Sequence, residues 1–359
     1  MLFFSWRRKT RLKENLMWLL VPLLVLGCLL SIFSMECIFK KSLTINHMCK
    51  MYERHKYSGS LCEELCSEQT PFENFNCPNS ITDSGIITAQ KNGDVIEFRR
   101  ADRIYVEDLA WSDKRGNLRY PKIDDFYHIV KLHILINYNV TLEDNMIKLL
   151  INQEIDESNP DQMLNFWRLF KDNNYLMGKL FDDDGLFSTI GGACGPVYIV
   201  EHLKPLELRN SFTRFFLNSP PEQMLFKRLL NYIMRLDMIR PDPLKICKID
   251  LYNFGFTTDS RLKAFNANHI AAETQVNKRL ASGQPCSRDE DCDWHQCHGS
   301  CDKRKHICNG AQKNDNLAIF CDYVMEYPYH FPELKMQPAV LELYKEKCLQ
   351  PRSKIRWND

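Results

Sequence analysis

The densest group of reactive side chains in this sequence is a run of cysteines toward the C-terminus: Cys286, Cys292, Cys297, Cys301, Cys308 and Cys321. Thiols at such spacings can oxidise in pairs or, as thiolates, ligate a metal ion. His295, His298 and His306 lie among them, so zinc stays open as an alternative. Zinc sites usually contain a CxxC pair, and none is present. The pattern therefore favours disulfides that close small loops.

The other cysteines extend this pattern over the chain: Cys37, Cys49, Cys62, Cys66, Cys77, Cys194, Cys247 and Cys348. The sequence holds 15 cysteines, and one of them, Cys28, lies in an apolar segment. The remaining number is even, which in an oxidising compartment indicates a disulfide framework whose connectivity the sequence leaves open. Cys62 and Cys66 lie four residues apart, on one face of a helix if that segment is helical.

Acidic runs offer a second kind of chemistry. Residues 287–291 and 182–185 are rich in carboxylates. Both lack the alternating acids and central glycine of a calcium-binding EF-hand loop. We therefore predict solvated loops and no metal site.

The compartment follows from an apolar segment near the N-terminus. Leu16 to Met35 carries no charged residue, and a helix of that length rises about 30 Å, enough to cross a membrane. The basic residues precede it, so the positive-inside rule keeps the N-terminus in the cytosol and sends the rest into the lumen. A cleaved signal peptide and a buried helix are the alternatives. The Arg7-Arg8 pair is a candidate retrieval signal for the endoplasmic reticulum, or a topology determinant only.

Two further features concern partners and modification. Asn139-Val140-Thr141 is an N-glycosylation acceptor triplet, which fits a luminal glycoprotein. Lys and Arg number 47 against 46 Asp and Glu, and this balance points to no particular polyanionic partner. We expect the membrane and luminal or secreted proteins as partners, and no nucleic acid.

Hydrophobic spacing predicts the elements that position these groups. Asn92-Gly93 between two apolar runs predicts a hairpin over residues 85–100. Helical spacing recurs over 123–137, 145–155, 163–181 with an interruption near Asn173, and 221–237. Residues 195–201 are predicted to form a buried strand. Residues 244–270 are predicted to form short strands around a turn at 258–260. This order indicates an α+β fold in two lobes.

The sequence resembles the divergent protein kinase domain 1 family, cysteine-rich type II membrane proteins of the endoplasmic reticulum. The resemblance rests on the basic N-terminus and signal anchor followed by LCEELC, GPVYIVEHL, ICKIDLYNFGF, LKAFNANHI and the cysteine cluster. It implies a divergent protein-kinase-like, two-lobed fold with disulfide-rich elements, preceded by one transmembrane helix. The implied divisions are a cytosolic tail (1–15), a signal anchor (16–35), a cysteine-rich cap (36–84), a kinase-like domain (85–280) and a cysteine-rich C-terminal region (281–359).

The resemblance also assigns kinase positions residue by residue. Glu201 falls on the hinge between the lobes, and the lysine of the nucleotide-binding strand falls near Arg99. Asn253 matches the metal-binding asparagine of the catalytic loop. The catalytic base position is Lys248, and the magnesium-binding aspartate position is Asn266.

These last two residues depart from kinase chemistry. A protonated Lys248 cannot accept a proton from a substrate hydroxyl, and a positioned base contributes about 10²–10⁴ in rate. Asn266 offers a neutral oxygen where magnesium prefers a carboxylate, so binding of Mg-ATP is expected to be weakened. We therefore predict a catalytically inactive pseudokinase that acts through protein binding. Asp250, as a displaced acid or base, keeps an active unconventional kinase open, and a structural or receptor-like disulfide module is the third hypothesis.

Overall fold

A computed structural model describes residues 45–76, 87–101, 109–155, 159–206, 222–330 and 347–348. The predicted anchor at 16–35, the pair Arg7 and Arg8, and the cysteines Cys37 and Cys77 lie outside these residues. Among the helices of the described ranges, none combines the length and the apolar character that a membrane crossing requires.

The helices occupy three stretches of the chain. The first holds α1 (45–53) and α2 (Cys62–Cys66). The second holds α3 (Ile123–Tyr138), α4 (Asp144–Asn152), α5 (Pro160–Lys171) and α6 (Asn173–Leu180). The third holds α7 (Glu222–Met238), α8 (Glu273–Leu280) and α9 (Asn316–His330).

The strands form one larger sheet and several small ones. The first seven are β1 (Phe72–Asn76), β2 (Ile87–Lys91), β3 (Asp94–Arg100), β4 (Trp111–Ser112), β5 (Leu118–Arg119), β6 (Ile190–Cys194) and β7 (Val197–Glu201). The others are β8 (Lys204–Pro205), β9 (Leu244–Ile246), β10 (Phe254–Phe256), β11 (Leu262–Ala264), β12 (Ile270–Ala272), β13 (Cys301–Asp302) and β14 (Ile307–Cys308). The five-stranded antiparallel sheet has the order β1-β2-β3-β7-β6.

The hairpin β2-β3 confirms the turn predicted at Asn92-Gly93. Both residues have positive φ, 54° and 91°, as the two-residue turn of a twisted hairpin requires, and asparagine and glycine tolerate that conformation best. The turn fixes a register in which Ile87 lies opposite Phe98. Both side chains are buried on the face of the sheet that packs on α1 and α2.

The interruption predicted near Asn173 is also confirmed. The Asp172 side chain accepts hydrogen bonds from the backbone N–H groups of Asn174 and Tyr175, at 2.8 and 3.2 Å. This is an N-cap, so α5 ends and α6 begins at the same residue. Strand β7 and helix α7 likewise lie where the sequence predicts them.

The two largest hydrophobic clusters of the described residues lie in different parts of the fold. The smaller core lies between the five-stranded sheet and helices α1 and α2. The larger core joins α3 through α9 with the short strands around β9 to β12, and Phe126, Phe170, Phe226 and Phe320 are completely buried in it. The result is a mixed α/β architecture with a sheet-rich part and a helix-rich part, as the sequence predicts.

The described residues contain six disulfides: Cys49–Cys66, Cys62–Cys194, Cys247–Cys297, Cys286–Cys301, Cys292–Cys308 and Cys321–Cys348. They confirm the disulfide prediction for every candidate cysteine within the described residues. The sulfurs of Cys286, Cys292 and Cys301 lie within 4.8 Å of one another. Because each is already in a disulfide, none is a thiolate available to zinc.

The cysteine-rich segment before β1 is docked on the helices by backbone contacts. Side chains of Asn159, Gln162 and Asn165 at the start of α5 donate to the carbonyl oxygens of residues 55 and 56. The bridge Cys62–Cys194 then fastens α2 to the end of β6. The proposed divisions at 84/85 and 280/281 stay predictions, and strand pairing or disulfides cross both of them.

Candidate functional site

The two asparagines assigned to metal-binding positions lie together. The short 3₁₀ helix Leu251–Asn253 ends at the first of them, and the loop after β11 carries the second. The carbonyl oxygen of Asn253 accepts hydrogen bonds from the N–H groups of Phe265 and Asn266, at 3.0 and 3.4 Å. The fold thus brings the catalytic-loop position and the position of the magnesium-binding aspartate side by side, with two neutral amides where a kinase has an amide and a carboxylate.

The position of the catalytic base is cationic and exposed. Lys248 follows the completely buried Cys247, whose segment is held by the bridge to Cys297. The rings of His269 and His295 lie nearby, edge to face, with centroids 4.5 Å apart. Burial is the main cause that lowers the pKa of each histidine, and the positive charge of Lys248 lowers both further. The local field therefore disfavours added positive charge.

Asp250, the alternative acid of the loop, has a structural contact. Its Oδ1 accepts the backbone N–H of Tyr252 at 3.0 Å and caps the 3₁₀ helix Leu251–Asn253. Such a cap stabilises the start of a helix, and its loss costs about 1 kcal/mol of stability. The contact explains an aspartate at this position without catalysis.

Arg99 on β3 is bound on two sides. Its Nη2 lies 2.7 Å from Oε2 of Glu97, two residues earlier on the same face of the strand. Its Nη1 donates to the carbonyl oxygen of Phe265, and the guanidinium lies 5.5 Å from the centroid of that ring. Only 11% of the Arg99 side chain is exposed. The cation assigned to nucleotide phosphates is therefore already neutralised and covered.

Glu97 is kept ionised by its neighbours. Burial opposes its charge, but the hydrogen bond to His202, 2.8 Å between Oε1 and Nδ1, and the contacts with Arg99 outweigh burial. Together they hold the pKa of Glu97 below its ordinary value. At neutral pH this carboxylate forms an ion pair with the guanidinium of Arg99 and would repel an approaching phosphate.

Little space is left beside this arginine. The cavity enclosed by Arg99, Asn174, Val200, Phe265 and other described residues measures about 10 Å³. One water molecule fills such a volume, whereas ligand sites span roughly 300–1,000 Å³. The neutral side chains of Asn253 and Asn266 do not fit a magnesium ion, and the space in this part of the cleft does not fit a nucleotide.

Glu201, assigned to the hinge, is also paired. Its Oε1 accepts the backbone N–H of Thr189 at 2.8 Å and the ammonium group of Lys263, whose side chain is only 5% exposed. Lys263 belongs to β11, three residues before Asn266. The ion pair therefore ties the end of β7 to the loop that carries the degenerate magnesium position.

Sequence reasoning missed two residues that hold this loop. Asn174 Oδ1 accepts the N–H of Ala267 at 2.6 Å, and Asn173 Nδ2 donates to the carbonyl oxygens of Ala267 and Ile270, at 2.6 and 3.2 Å. Both asparagines stand at the start of α6. The signal in the sequence was the polar pair after Asp172 in an otherwise apolar stretch, which predicted only a helix break.

The predicted glycosylation residue lies away from this cleft. Asn139 is exposed at the end of α3, in the left-handed conformation with φ 52°. Thr141 of the same triplet is exposed as well. The triplet is accessible to a modifying enzyme, and its use stays a prediction.

These features define a class, a disulfide-linked kinase-like domain whose cleft residues depart from the kinase pattern. Residues 166–351 match the family model described as the protein-kinase domain of FAM69, and residues 5–153 match the one described as N-term cysteine-rich ER, FAM69. The kinase-domain model alone spans more than half of the chain, so this chain belongs to that family, whose description associates it with the endoplasmic reticulum. The matches confirm the resemblance to the divergent protein kinase domain 1 family. No solved structure matches the chain.

Proposed function

We propose that this protein is a type II membrane protein of the endoplasmic reticulum whose luminal kinase-like domain transfers no phosphate and acts by binding luminal or secreted proteins. The Golgi is the alternative compartment within the same pathway. The proposal joins three inferences, on catalysis, topology and partners, and each rests on different residues.

The inference on catalysis rests on the contacts of Arg99 with Glu97 and with the Phe265 carbonyl. To meet a nucleotide phosphate, its guanidinium has to leave the carboxylate of Glu97 and the carbonyl of Phe265. Charge-assisted hydrogen bonds of this kind are about twice as strong as neutral ones. Phosphate transfer also depends on a catalytic base and on a carboxylate that binds the metal ion. Lys248 and Asn266 occupy the positions of these two groups and can supply neither.

The topology is supported by the disulfides and the family. Six bridges spread from residue 49 to residue 348 persist in an oxidising compartment and are rare in the cytosol. The uncharged segment Leu16–Met35 precedes all of them, with Arg7 and Arg8 on its other side. The family description names the endoplasmic reticulum.

Nucleotide binding and transfer test the catalytic part. The full chain is purified in detergent with its disulfides intact and melted with and without 1 mM Mg-ATP. A nucleotide at 100 times its Kd would stabilise a real site by about 2.7 kcal/mol, which raises the melting temperature by several degrees. We expect a shift below about 1 °C by the same relation, and no labelled phosphate in the protein or in added luminal proteins.

The contradicting result is a saturable shift coupled to phosphate transfer, both abolished by Asn253→Ala. Asp250→Asn serves as a second variant, because an active kinase that uses this acid would lose turnover by orders of magnitude while the parent retained it. Cross-linking in intact membranes tests the partner inference. It predicts luminal proteins joined to the kinase-like domain or its cysteine-rich flanks, and capture of cytosolic proteins alone would oppose it.

A further inference from the structure

A second cavity lies apart from the kinase-like cleft. It measures about 350 Å³ and is bounded by α3, α5, the start of α6, the segment 268–272, α8 and Trp294 of the cysteine-rich region. None of its described lining residues is Arg99, Asn253 or Phe265. Its volume falls at the lower end of the range of small-molecule sites.

Three aromatic side chains contribute to the wall. Phe170 is completely buried, Tyr138 is 8% exposed, and Trp294 is half-buried. The Tyr138 hydroxyl donates to Oδ1 of Asn173 at 2.9 Å. With its polar end engaged there, Tyr138 contributes its ring rather than its hydroxyl, so these surfaces suit a flat apolar group.

The charged residues that line the cavity are cations. Lys171 and Arg279 are both exposed, and no carboxylate of the described chain lies within ion-pair distance of either. The Arg279 guanidinium lies 4.1 Å from the centroid of the Trp294 ring. Stacking engages the face of the guanidinium and leaves its N–H edge for an acceptor.

Two carboxylates and one histidine lie near these cations. The Oδ1 of Asp172 caps α6, and the negative charge of this carboxylate acts on Tyr138 of the wall, as the positive charge of Arg279 does. Glu273 at the start of α8 pairs with Lys245, 3.7 Å away. Burial first, and then the charge of Lys171, lowers the pKa of His133 to about 4, so this lining histidine is uncharged at neutral pH. The positive field comes from Lys171 and Arg279 alone among the described lining residues.

We propose that this cavity binds a small aromatic anion, a ring that carries a phosphate or carboxylate group. The ring packs on Tyr138 and Trp294, and the anionic group meets Lys171 and Arg279 at the mouth. Such a group reaches the site either as a free small molecule or as the side chain of a partner protein, for example a phosphorylated tyrosine. The chemistry of recognition is the same in both cases.

Binding of phenyl phosphate tests the proposal. Titration calorimetry of the full chain in detergent compares phenyl phosphate with inorganic phosphate, which lacks the ring, and phenol, which lacks the charge. We expect phenyl phosphate to bind at least about tenfold more tightly than either, since the ring and the anion each contribute. Saturable binding of none of the three, or equal weak binding of all, would overturn the proposal.

Variants locate the binding. Arg279→Gln and Lys171→Gln each remove one exposed cation, and each is expected to raise the Kd of phenyl phosphate about tenfold. Lys278→Gln is the matched control, because Lys278 is an exposed cation on the same helix that does not line the cavity. If the control weakens binding as much as Arg279→Gln does, general surface charge accounts for the effect and the proposed site is wrong. Melting curves verify that all three variants fold.

Two further binding experiments are needed. The first distinguishes a free small molecule from a protein side chain as the ligand, and the second distinguishes this cavity from the kinase-like cleft. A phosphotyrosine with blocked backbone on both sides binds as well as phenyl phosphate if the source is a protein side chain, and more weakly if the site encloses a free molecule. ATP also carries a ring and anions. Nucleotide binding lost in Arg279→Gln and kept in Asn253→Ala therefore reports this cavity, while the reverse pattern reports the kinase-like cleft.

Discussion

Replacing Glu154 by glutamine should stabilise the protein, and more so as the pH rises. Glu154 follows α4 and is 3% exposed. Its Oε1 accepts the hydroxyl of Tyr175 at 3.3 Å and lies 4.0 Å from the ammonium group of Lys179. Burial, only partly opposed by Lys179, Tyr175 and hydrogen bonds from Ser60, raises the pKa of Glu154 to about 7 from an ordinary 4.5.

The sign of the effect follows from proton linkage. The folded state binds the proton of Glu154 more tightly than the unfolded state does, so the favourable contribution is present at low pH and is lost as the pH rises through about 4.5 to 7. The ionised carboxylate then costs about 0.8 kcal/mol at pH 5 and about 3 kcal/mol at pH 8. Glutamine keeps the shape and removes the charge, so its advantage should grow by about 2.5 kcal/mol over that interval.

Denaturant unfolding of the oxidised protein at pH 5, 6, 7 and 8 measures this difference. The control is Glu63→Gln, which removes an exposed acid of α2 and so separates the loss of a carboxylate from the effect of burial. Parallel profiles of the parent and Glu154→Gln would refute the reasoning, because they would mean that Glu154 ionises as easily in the folded state as in the unfolded one.

Three further predictions concern other parts of the chain. Replacing both Cys62 and Cys194 by serine opens a bridge whose ends lie 132 residues apart, and in the chain-entropy model the free energy of unfolding falls by about 5 kcal/mol; a loss below about 1 kcal/mol in urea unfolding would exclude a closed bridge there by the same model. Gly195→Ala places a Cβ 2.5 Å from the ring of Tyr57 at a residue with φ 58°, so we expect a loss of about 2 kcal/mol or more, checked by thermal melting. Asn139→Gln should abolish the mobility shift that an endoglycosidase produces in protein from secretory cells, and an unchanged shift would place the glycan elsewhere.

Local chemistry made part of the fold predictable. The Asn92-Gly93 turn and the break before Asn173 depend on residues adjacent in sequence, so the pattern alone located both. The buried strand β7 was equally visible as a short apolar run. In each case the physical cause, a positive φ, an N-cap or burial on both faces, acts within a few residues.

Long-range pairings were beyond the sequence. The partners Cys62 and Cys194 become neighbours only once α2 packs on the sheet. The contact of Arg99 with the Phe265 carbonyl joins residues 166 positions apart, and the local sequence of neither segment predicts it. The same holds for the cavity between Lys171 and Arg279, whose walls come from four helices and the cysteine-rich region.

The site itself was half predictable. The resemblance assigned Asn253 and Asn266 to metal-binding positions, and in the structure backbone hydrogen bonds join the two segments. The assignment could not reveal that Glu97, an ordinary strand residue, neutralises Arg99. This intrastrand pair supplies the physical argument for the proposed exclusion of a nucleotide from the cleft.

A structure of the oxidised protein with a saturating magnesium nucleotide tests this account most directly. It should show Arg99 still on Glu97 and the Phe265 carbonyl, with no nucleotide beside Asn253 and Asn266. A nucleotide in that cleft, with its phosphates on a freed Arg99 and a metal ion on the two asparagines, would contradict it.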